Sequence, residues 1–286
     1  MHTNVKQVVL IGNRCGVVRE IGRFPQLRLT RVFALAESLL DRECGQYSAD
    51  VVRFALSDRR QVCEQIAVCD FDLLLSHGCP FILPVSELRR HHQRFINVHP
   101  APLPRMKGMH PVNGAFLRGE NFLGATMHDM EDHVDAGRII EQGTIELTAD
   151  LDLGLAYRLV FDLESDVFRR GMQKLIDSGF QDQGEPQSGD DSFYTRRRGD
   201  MRIDFRTMSN DEIVRRVRAF GIASQGVIAE FGRFQLRVFD AESMFNPHLL
   251  VKYAAAEPGT VLLQYEKKWL VRSRDGVIKI NRAETL

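Results

Sequence analysis

The five cysteines of this 286-residue sequence, Cys15, Cys44, Cys63, Cys69 and Cys79, are odd in number and contain no C-x-x-C pair. Neither a disulfide framework nor a zinc ribbon is encoded, and the thiols are expected as small buried hydrophobes. The nine histidines are scattered. No H-x-x-x-H or H-E-x-x-H spacing puts two imidazoles on one helical face, so no metal is expected. Charge of one sign is also missing: Lys+Arg and Asp+Glu number 38 each. No global basic field exists to draw nucleic acid or an anionic membrane. A spanning helix needs about 20 apolar residues in a row. The stretch ending in Leu73, Leu74 and Leu75 gives way at once to Ser76 and His77. The N-terminal MHTNVKQVVLIGNRCG enters a strand-like run without the charged region, apolar core and small-residue cleavage site of a signal peptide. It reads as uncleaved and cytoplasmic.

What is present is ordinary for a soluble globular protein, 44% apolar and 27% charged. β-type runs at Val8 to Ile11, Leu27 to Leu35, Val51 to Leu56, within DFDLLLSHG and in FINVHP alternate with helical segments. One of these helices is DRRQVCEQIA, with Ser57 as its expected N-cap. This alternation predicts right-handed crossovers and a parallel, doubly wound α/β sheet. LGATMHDM and GRIIEQGTIEL add two strands. From Asp150 to Ser178, Leu155, Leu159, Leu163, Val167, Met172, Leu175 and Ile176 predict a long amphipathic helix closing a first domain, residues 1–180. QDQGEPQSGDDS has no large apolar side chain and three Gly/Pro breakers, the composition of a linker, placed at 181–200. Beyond it, one helix and five short β runs in 201–286 suggest a small barrel of the OB type.

The residues that could carry chemistry cluster in NVHPAPLPRMKG, Asn97 to Gly108, and GATMHDMEDHVDAGRII, Gly124 to Ile140. On a strand Asn97 and His99 are i and i+2, so both leave one face, at the carboxyl end of a strand that three prolines stop. Open α/β sheets place their ligand crevice at that edge. Asp135 precedes Ala136 and Gly137 in a turn that can present it there too. An amide donor, an imidazole and a carboxylate are the parts for acyl transfer. No G-x-S-x-G nucleophile accompanies them, so the acceptor substrate would have to attack.

NVHPAPLPRMKG resembles the signature N-x-H-x-S-L-L-P-x-x-x-G of the folate-dependent formyltransferases, with Ala101-Pro102 where that family usually has Ser-Leu. ATMHDMEDHVDAGRIIEQ resembles the family's later block ending in D-x-G-x-I. HGCPFILP sits where the family contacts folate, and FYTRRRGDMRIDF with EPGTVLL resembles its C-terminal module. The resemblance implies a Rossmann-like formyltransferase domain followed by the OB-like domain. It implies 10-formyl-tetrahydrofolate as formyl donor, with backbone groups of Phe81, Ile82 and Leu83 and of Asp132, His133 and Val134 around it. Asn97 would hold the formyl oxygen, while His99 and Asp135 would handle the proton of the attacking amine. Arg105, Lys107, Gly108 and His128 would lie toward the acceptor.

Within the family the C-terminal module and the GNRCG turn disfavour glycinamide-ribonucleotide enzymes. Neutral overall charge disfavours a tRNA acceptor. The branch whose arginine-rich segment FYTRRRGDMRIDF resembles most formylates nucleotide-linked amino sugars. The implied partners are therefore a dTDP- or UDP-amino sugar and, at most, a second copy of the chain as a homodimer, with no nucleic acid and no membrane. Methionyl-tRNA formyltransferase is the alternative. An inactive formyltransferase-like binding module is the third reading, against which intact Asn97, His99 and Asp135 stand.

Overall fold

A computed structural model describes residues 5–286, so the first four residues of the N-terminal segment read as uncleaved lie outside it. Seven strands form one sheet: β1 (Lys6–Gly12), β2 (Leu27–Leu35), β3 (Asp50–Phe54), β4 (Leu73–His77), β5 (Arg94–His99), β6 (Phe122–Asp129) and β7 (Ile139–Glu146), in the order β3-β2-β1-β4-β5-β6-β7. Alternate residues of β1 go to opposite faces, as the period of two demands. Val8 and Leu10 join α1 (Gly16–Ile21), Val98, Met127 and the buried face of α6 (Leu153–Asp177). Val9 and Ile11 join α3 (Arg59–Val68), Phe33, Leu74 and Phe95 on the other side. Covering both faces explains why the central strands are near-continuous apolar runs. Each fully buried Leu, Ile or Val contributes roughly 1.5–3 kcal/mol.

The sheet departs from the all-parallel expectation at one place. β3, β2, β1, β4 and β5 pair in parallel, but β6 runs antiparallel to β5. The helix between them, α5 (Pro111–Arg118), packs on α7 (Asn210–Phe220), so it does not serve as a crossover on this sheet. The cap of α3 is Asp58, not Ser57, because a single 3-10 turn, Leu56–Asp58, precedes the helix. Ser57 instead donates its hydroxyl to the Asp58 carboxylate at 2.8 Å. On α6 the buried line is Leu153, Ala156, Val160, Glu164, Val167, Phe168, Met172 and Leu175, while Leu155 and Leu159 are exposed. Choosing the leucines placed the stripe one position off the 3.6-residue period at the helix start.

The chain divides into two compact units that do not follow a single cut. One comprises the residues through Met109, Phe122–Ile145 and Arg158–Tyr194, the other His110–Asn121, Glu146–Tyr157 and Thr195–Leu286. Residues 181–194, read as linker, are part of the first unit and are hydrogen-bonded into it, as described below. The second unit holds β8 (Arg202–Ile203), β9 (Val227–Phe231), β10 (Phe234–Ser243), β11 (Val261–Tyr265), β12 (Lys268–Arg272) and β13 (Val277–Thr285), in the order β11-β12-β13-β10-β9-β8. α7 lies against β10, with Ile213, Val217 and Phe220 buried, and its N-cap Ser209 accepts the Glu212 N–H at 3.2 Å. The five expected runs are β9 to β13. Among the described residues no strand pair joins β11 to β8, so the sheet keeps two edges.

Cys15, Cys44 and Cys69 are buried, Cys63 and Cys79 half-buried, and all five are free. Among the described residues no helix is long and apolar enough to cross a membrane.

Candidate active site

β5 and β6 build the floor of the site. Their antiparallel register sets Asn97 opposite His128 and His99 opposite Thr126. Asn97 and His99 leave the same face of β5, as their spacing predicts. The proline-rich loop after β5 folds back because Thr126 holds it: its hydroxyl donates to the Ala101 carbonyl at 2.7 Å and accepts from the Leu103 N–H at 3.2 Å. That return brings the Met106 carbonyl to 3.0 Å from His99 Nε2 and the Gly108 N–H to 2.9 Å from Asp135 Oδ2. On the other side the β6–β7 turn is closed by the Asp129 N–H on the Arg138 carbonyl at 2.9 Å. Arg94 grips the Asp129 carboxylate with two bonds of 2.6 and 2.9 Å. Gly137 is obligatory there, since a Cβ would lie 1.9 Å from the Asp129 carbonyl oxygen. Asp135 takes a left-handed φ of 53° in this turn, which aims its carboxylate at β5.

The three residues then meet. Asp135 Oδ2 lies 3.6 Å from His99 Nδ1, and Asp135 Oδ1 lies 3.4 Å from Asn97 Nδ2. The hydrogen bonds fix the tautomers. A carbonyl oxygen only accepts, so His99 carries a proton on Nε2 toward Met106, and its Nδ1 is the basic atom. His128 donates from Nδ1 to the Asp129 carbonyl at 2.7 Å, which leaves its Nε2 to accept from Asn97 Nδ2 at 3.2 Å. Burial pushes the His99 pKa below the ordinary value of 6.5, against an opposing pull from Asp135. Burial alone would raise the Asp135 carboxyl. The charge of His99, the contact with His128 and the Gly108 N–H outweigh it and hold the group well below the usual carboxylate range. At neutral pH the pair is a neutral imidazole facing an ionised carboxylate.

The other expected residues are distributed as follows. Gly108 and His128 touch the central three, Gly108 as a donor to Asp135 and His128 as the acceptor for Asn97. Arg105 and Lys107 are turned toward residues 181–194, pairing with Asp190 at 3.6 Å and Asp191 at 3.0 Å. Leu83 is buried and anchors the Phe81–Leu83 segment in the core, Phe81 packs edge-on against Phe54, and Ile82 is exposed. Asp132 accepts the Ser86 N–H at 2.9 Å, which ties the Asp132–Asp135 turn to that segment. His133 is exposed and Val134 half-buried.

Two contributors have no signal in the sequence pattern. The Met106 carbonyl is a backbone group. Gln187 lies in the stretch read as linker, yet its amide nitrogen donates to both the Asp135 and the Gly137 carbonyls at 2.8 Å. Nearby, Ser192 accepts the Met106 N–H on its hydroxyl at 2.8 Å and the Lys107 N–H on its carbonyl at 2.8 Å. This polar strap therefore holds both the loop after β5 and the β6–β7 turn. Gln187→Ala removes two bonds of about 1 kcal/mol each from the Asp135 turn. Turnover is expected to fall about tenfold, with the melting temperature lowered by only about 4–8 °C and the protein folded at the assay temperature, as checked by steady-state kinetics beside thermal unfolding.

The side chains of Asn97, His99 and Asp135 are hydrogen-bonded to a ring nitrogen, to backbone groups and to one another. Such a site can polarise a carbonyl and accept the proton of an attacking nucleophile. The family model described as "Formyl transferase" matches residues 37–171, and "Formyl transferase, C-terminal domain" matches residues 197–285. The chain belongs to the folate-dependent formyltransferase family.

Among curated relatives, methionyl-tRNA formyltransferase of Staphylococcus aureus (strain Newman) is 26% identical over 215 residues, 74% of this chain. The chain spans 66% of that protein's length. Among solved structures, an N-formyltransferase from Helicobacter canadensis, in complex with folinic acid and dTDP-3-aminofucose, superposes with a TM-score of 0.70 at 17% identity. The match covers 98% of this chain and 100% of that one. HypX from Aquifex aeolicus in complex with tetrahydrofolic acid gives a TM-score of 0.66 at 15% identity, covering 98% of this chain and 44% of its own. These structural likenesses establish the shared fold.

Proposed function

We propose that the chain transfers a formyl group from 10-formyl-tetrahydrofolate to the amine of a nucleotide-linked amino sugar in the cytoplasm. The observation that carries the transfer is the convergence of Asn97 Nδ2, His99 Nδ1 and the Asp135 carboxylate. The Phe81–Leu83 segment and the Asp132–Asp135 turn, tied through Ser86 and Asp132, offer backbone groups along one wall, which fits the folate donor. That donor supplies an electrophilic formyl carbonyl when bound.

The chain's own residues do the rest. Asn97 turns an Nδ2 hydrogen from the long 3.4 Å contact with Asp135 to the carbonyl oxygen on which negative charge develops. His99 Nδ1 takes the proton that the attacking amine loses and would return it to the donor nitrogen as its bond to the formyl carbon breaks, while Nε2 stays on Met106. Asp135, ionised throughout, stabilises the imidazolium so formed. Arg105 and Lys107 are the acceptor-side cations of this reading.

A nucleotide sugar is favoured over tRNA because net charge is zero and a tRNA acceptor requires several neutralised phosphates. Full-length similarity to the Helicobacter canadensis enzyme supports the same choice. The test is formyl-tetrahydrofolate turnover against a panel of dTDP- and UDP-amino sugars beside methionyl-tRNA. Turnover with at least one sugar nucleotide and none with the tRNA is expected. Turnover with charged initiator tRNA alone would replace this reading with the methionyl-tRNA one, and turnover with nothing would favour a binding module.

A further inference from the structure

A neutral imidazole has one N–H, and His99 stands between two groups that can only accept it. The Met106 carbonyl oxygen lies 3.0 Å from Nε2, and Asp135 Oδ2 lies 3.6 Å from Nδ1. The carboxylate is the stronger acceptor of the two. Position therefore decides where the proton sits: the Met106 contact is within hydrogen-bond range and the Asp135 contact is outside it. The loop after β5 acts on both sides, because its Gly108 N–H also occupies Asp135 Oδ2 at 2.9 Å. A shift of this loop away from β5 would withdraw the Met106 carbonyl and free Oδ2 together. The proton would then pass to Nδ1, and the ring would lose its basic atom on that side.

The loop does not keep this position by its own preference. Met106 takes a left-handed φ of 58°, a conformation that persists in a residue with a Cβ only where the surroundings hold it. Pro100, Pro102 and Pro104 bring no N–H, and Ala101 brings no polar side chain.

The anchor comes from β6 and β7. Thr126 is fully buried, and the single proton of its hydroxyl goes to the Ala101 carbonyl at 2.7 Å. Its oxygen then accepts the Leu103 N–H at 3.2 Å and Gln142 Nε2 at 2.9 Å. Gln142, on β7, uses the same Nε2 to donate to the Leu103 carbonyl at 2.9 Å. A carbonyl only accepts, so the nitrogen of that amide, and not its oxygen, faces the loop. Every hydrogen-bonding site of the Thr126 hydroxyl and both Nε2 protons are thus spent on fixing Ala101 and Leu103. Gly124, two residues before Thr126 on the same strand face, lets the loop lie directly on β6: a Cβ there would come 2.9 Å from Pro102 N. The Pro102 carbonyl in turn accepts the Arg105 N–H at 3.1 Å, which carries the anchor to the residue before Met106.

We propose that Thr126 and Gln142 are positioning residues that lock His99 in the tautomer with Nδ1 bare, acting through the loop and not on either substrate. The placement of the proton stands on the geometry alone, and its effect on turnover rests on the reading under Proposed function.

The test reads the tautomer directly, from long-range proton–nitrogen correlation spectra of histidine-labelled protein above the titration of His99, whose signals are those absent from His99→Gln. The proteins are the wild type, Gln142→Met, which keeps the side-chain length, Thr126→Val, which keeps the shape, and Thr126→Ser, which keeps the hydroxyl. Circular dichroism confirms that each is folded. The wild type is expected to carry its proton on Nε2. In Gln142→Met and Thr126→Val the Nδ1–H form appears and kcat falls about tenfold or more, while KM for 10-formyl-tetrahydrofolate stays within about twofold. Thr126→Ser keeps the wild-type tautomer and kcat. Because the two side chains act through one network, the double variant Thr126→Val with Gln142→Met is no worse than the worse single one. A wild-type proton on Nδ1, or an unchanged Nε2–H form in the folded Gln142→Met and Thr126→Val proteins, overturns the lock. A shifted tautomer with unchanged kcat overturns its part in the reaction. A tautomer that shifts as expected in a protein whose wild type turns over no amino sugar keeps the lock and removes the proposed acceptor.

Discussion

Asn97→Ala is expected to lower kcat by about 10²- to 10³-fold, the loss seen when one oxyanion donor is removed from a preorganised site. Asn97 is half-buried and its amide binds His128 and Asp135, so the truncation removes a donor aimed at the carbonyl oxygen without opening the core. Both KM values should stay near wild type, because the interaction strengthens only as charge develops. His99→Ala is expected to be at least as severe, since it deletes the atom that receives the proton. Steady-state kinetics with both substrates varied, beside circular dichroism to confirm the fold, is the measurement. Near-native kcat in either variant would remove the assigned mechanism.

Asp135→Asn should act differently, on the pH profile as well as the rate. Burial places the His99 pKa below 6.5, and the Asp135 charge partly offsets that by favouring the imidazolium. The active form is the neutral ring. The wild-type rate should therefore be full at neutral pH and fall as pH drops through a value below 6.5. Without the carboxylate's charge the imidazolium is less stable, so the acidic limb of kcat/KM moves to still lower pH. For the same reason the transition state loses stabilisation, and kcat falls by about 10²- to 10⁴-fold at neutral pH. The amide retains an oxygen to accept the Gly108 N–H, which keeps the loop in place. An acidic limb that moved upward, or an unchanged rate, would show that Asp135 does not face His99 during turnover.

Much of this site could be read from the chain alone. Strand period fixes that Asn97 and His99 share a face, whatever the rest of the protein does. Three prolines end β5 because they cannot donate to a ladder, and Gly137 permits the turn that presents Asp135. Glu164 is legible in principle, a carboxylate on the buried stripe of an otherwise amphipathic helix, but a stripe drawn through apolar residues only, from Leu155 to Ile176, passes it by.

Other features had no local signal. Gln187 and Ser192 sit in a segment with no large apolar side chain, which composition reads as linker, yet such a segment packs through hydrogen bonds to backbone groups that composition does not register. The sequence by itself determined which residue types stand at the carboxyl edge of β5, since strand periodicity and proline are local properties of the backbone. Only the tertiary structure decided that His99 Nδ1 is the basic atom, that β6 runs antiparallel, and that Gln142 reaches Leu103. Each of these depends on groups far apart in the chain, and their meeting is set by how the strands pair and the helices pack rather than by any neighbour in sequence.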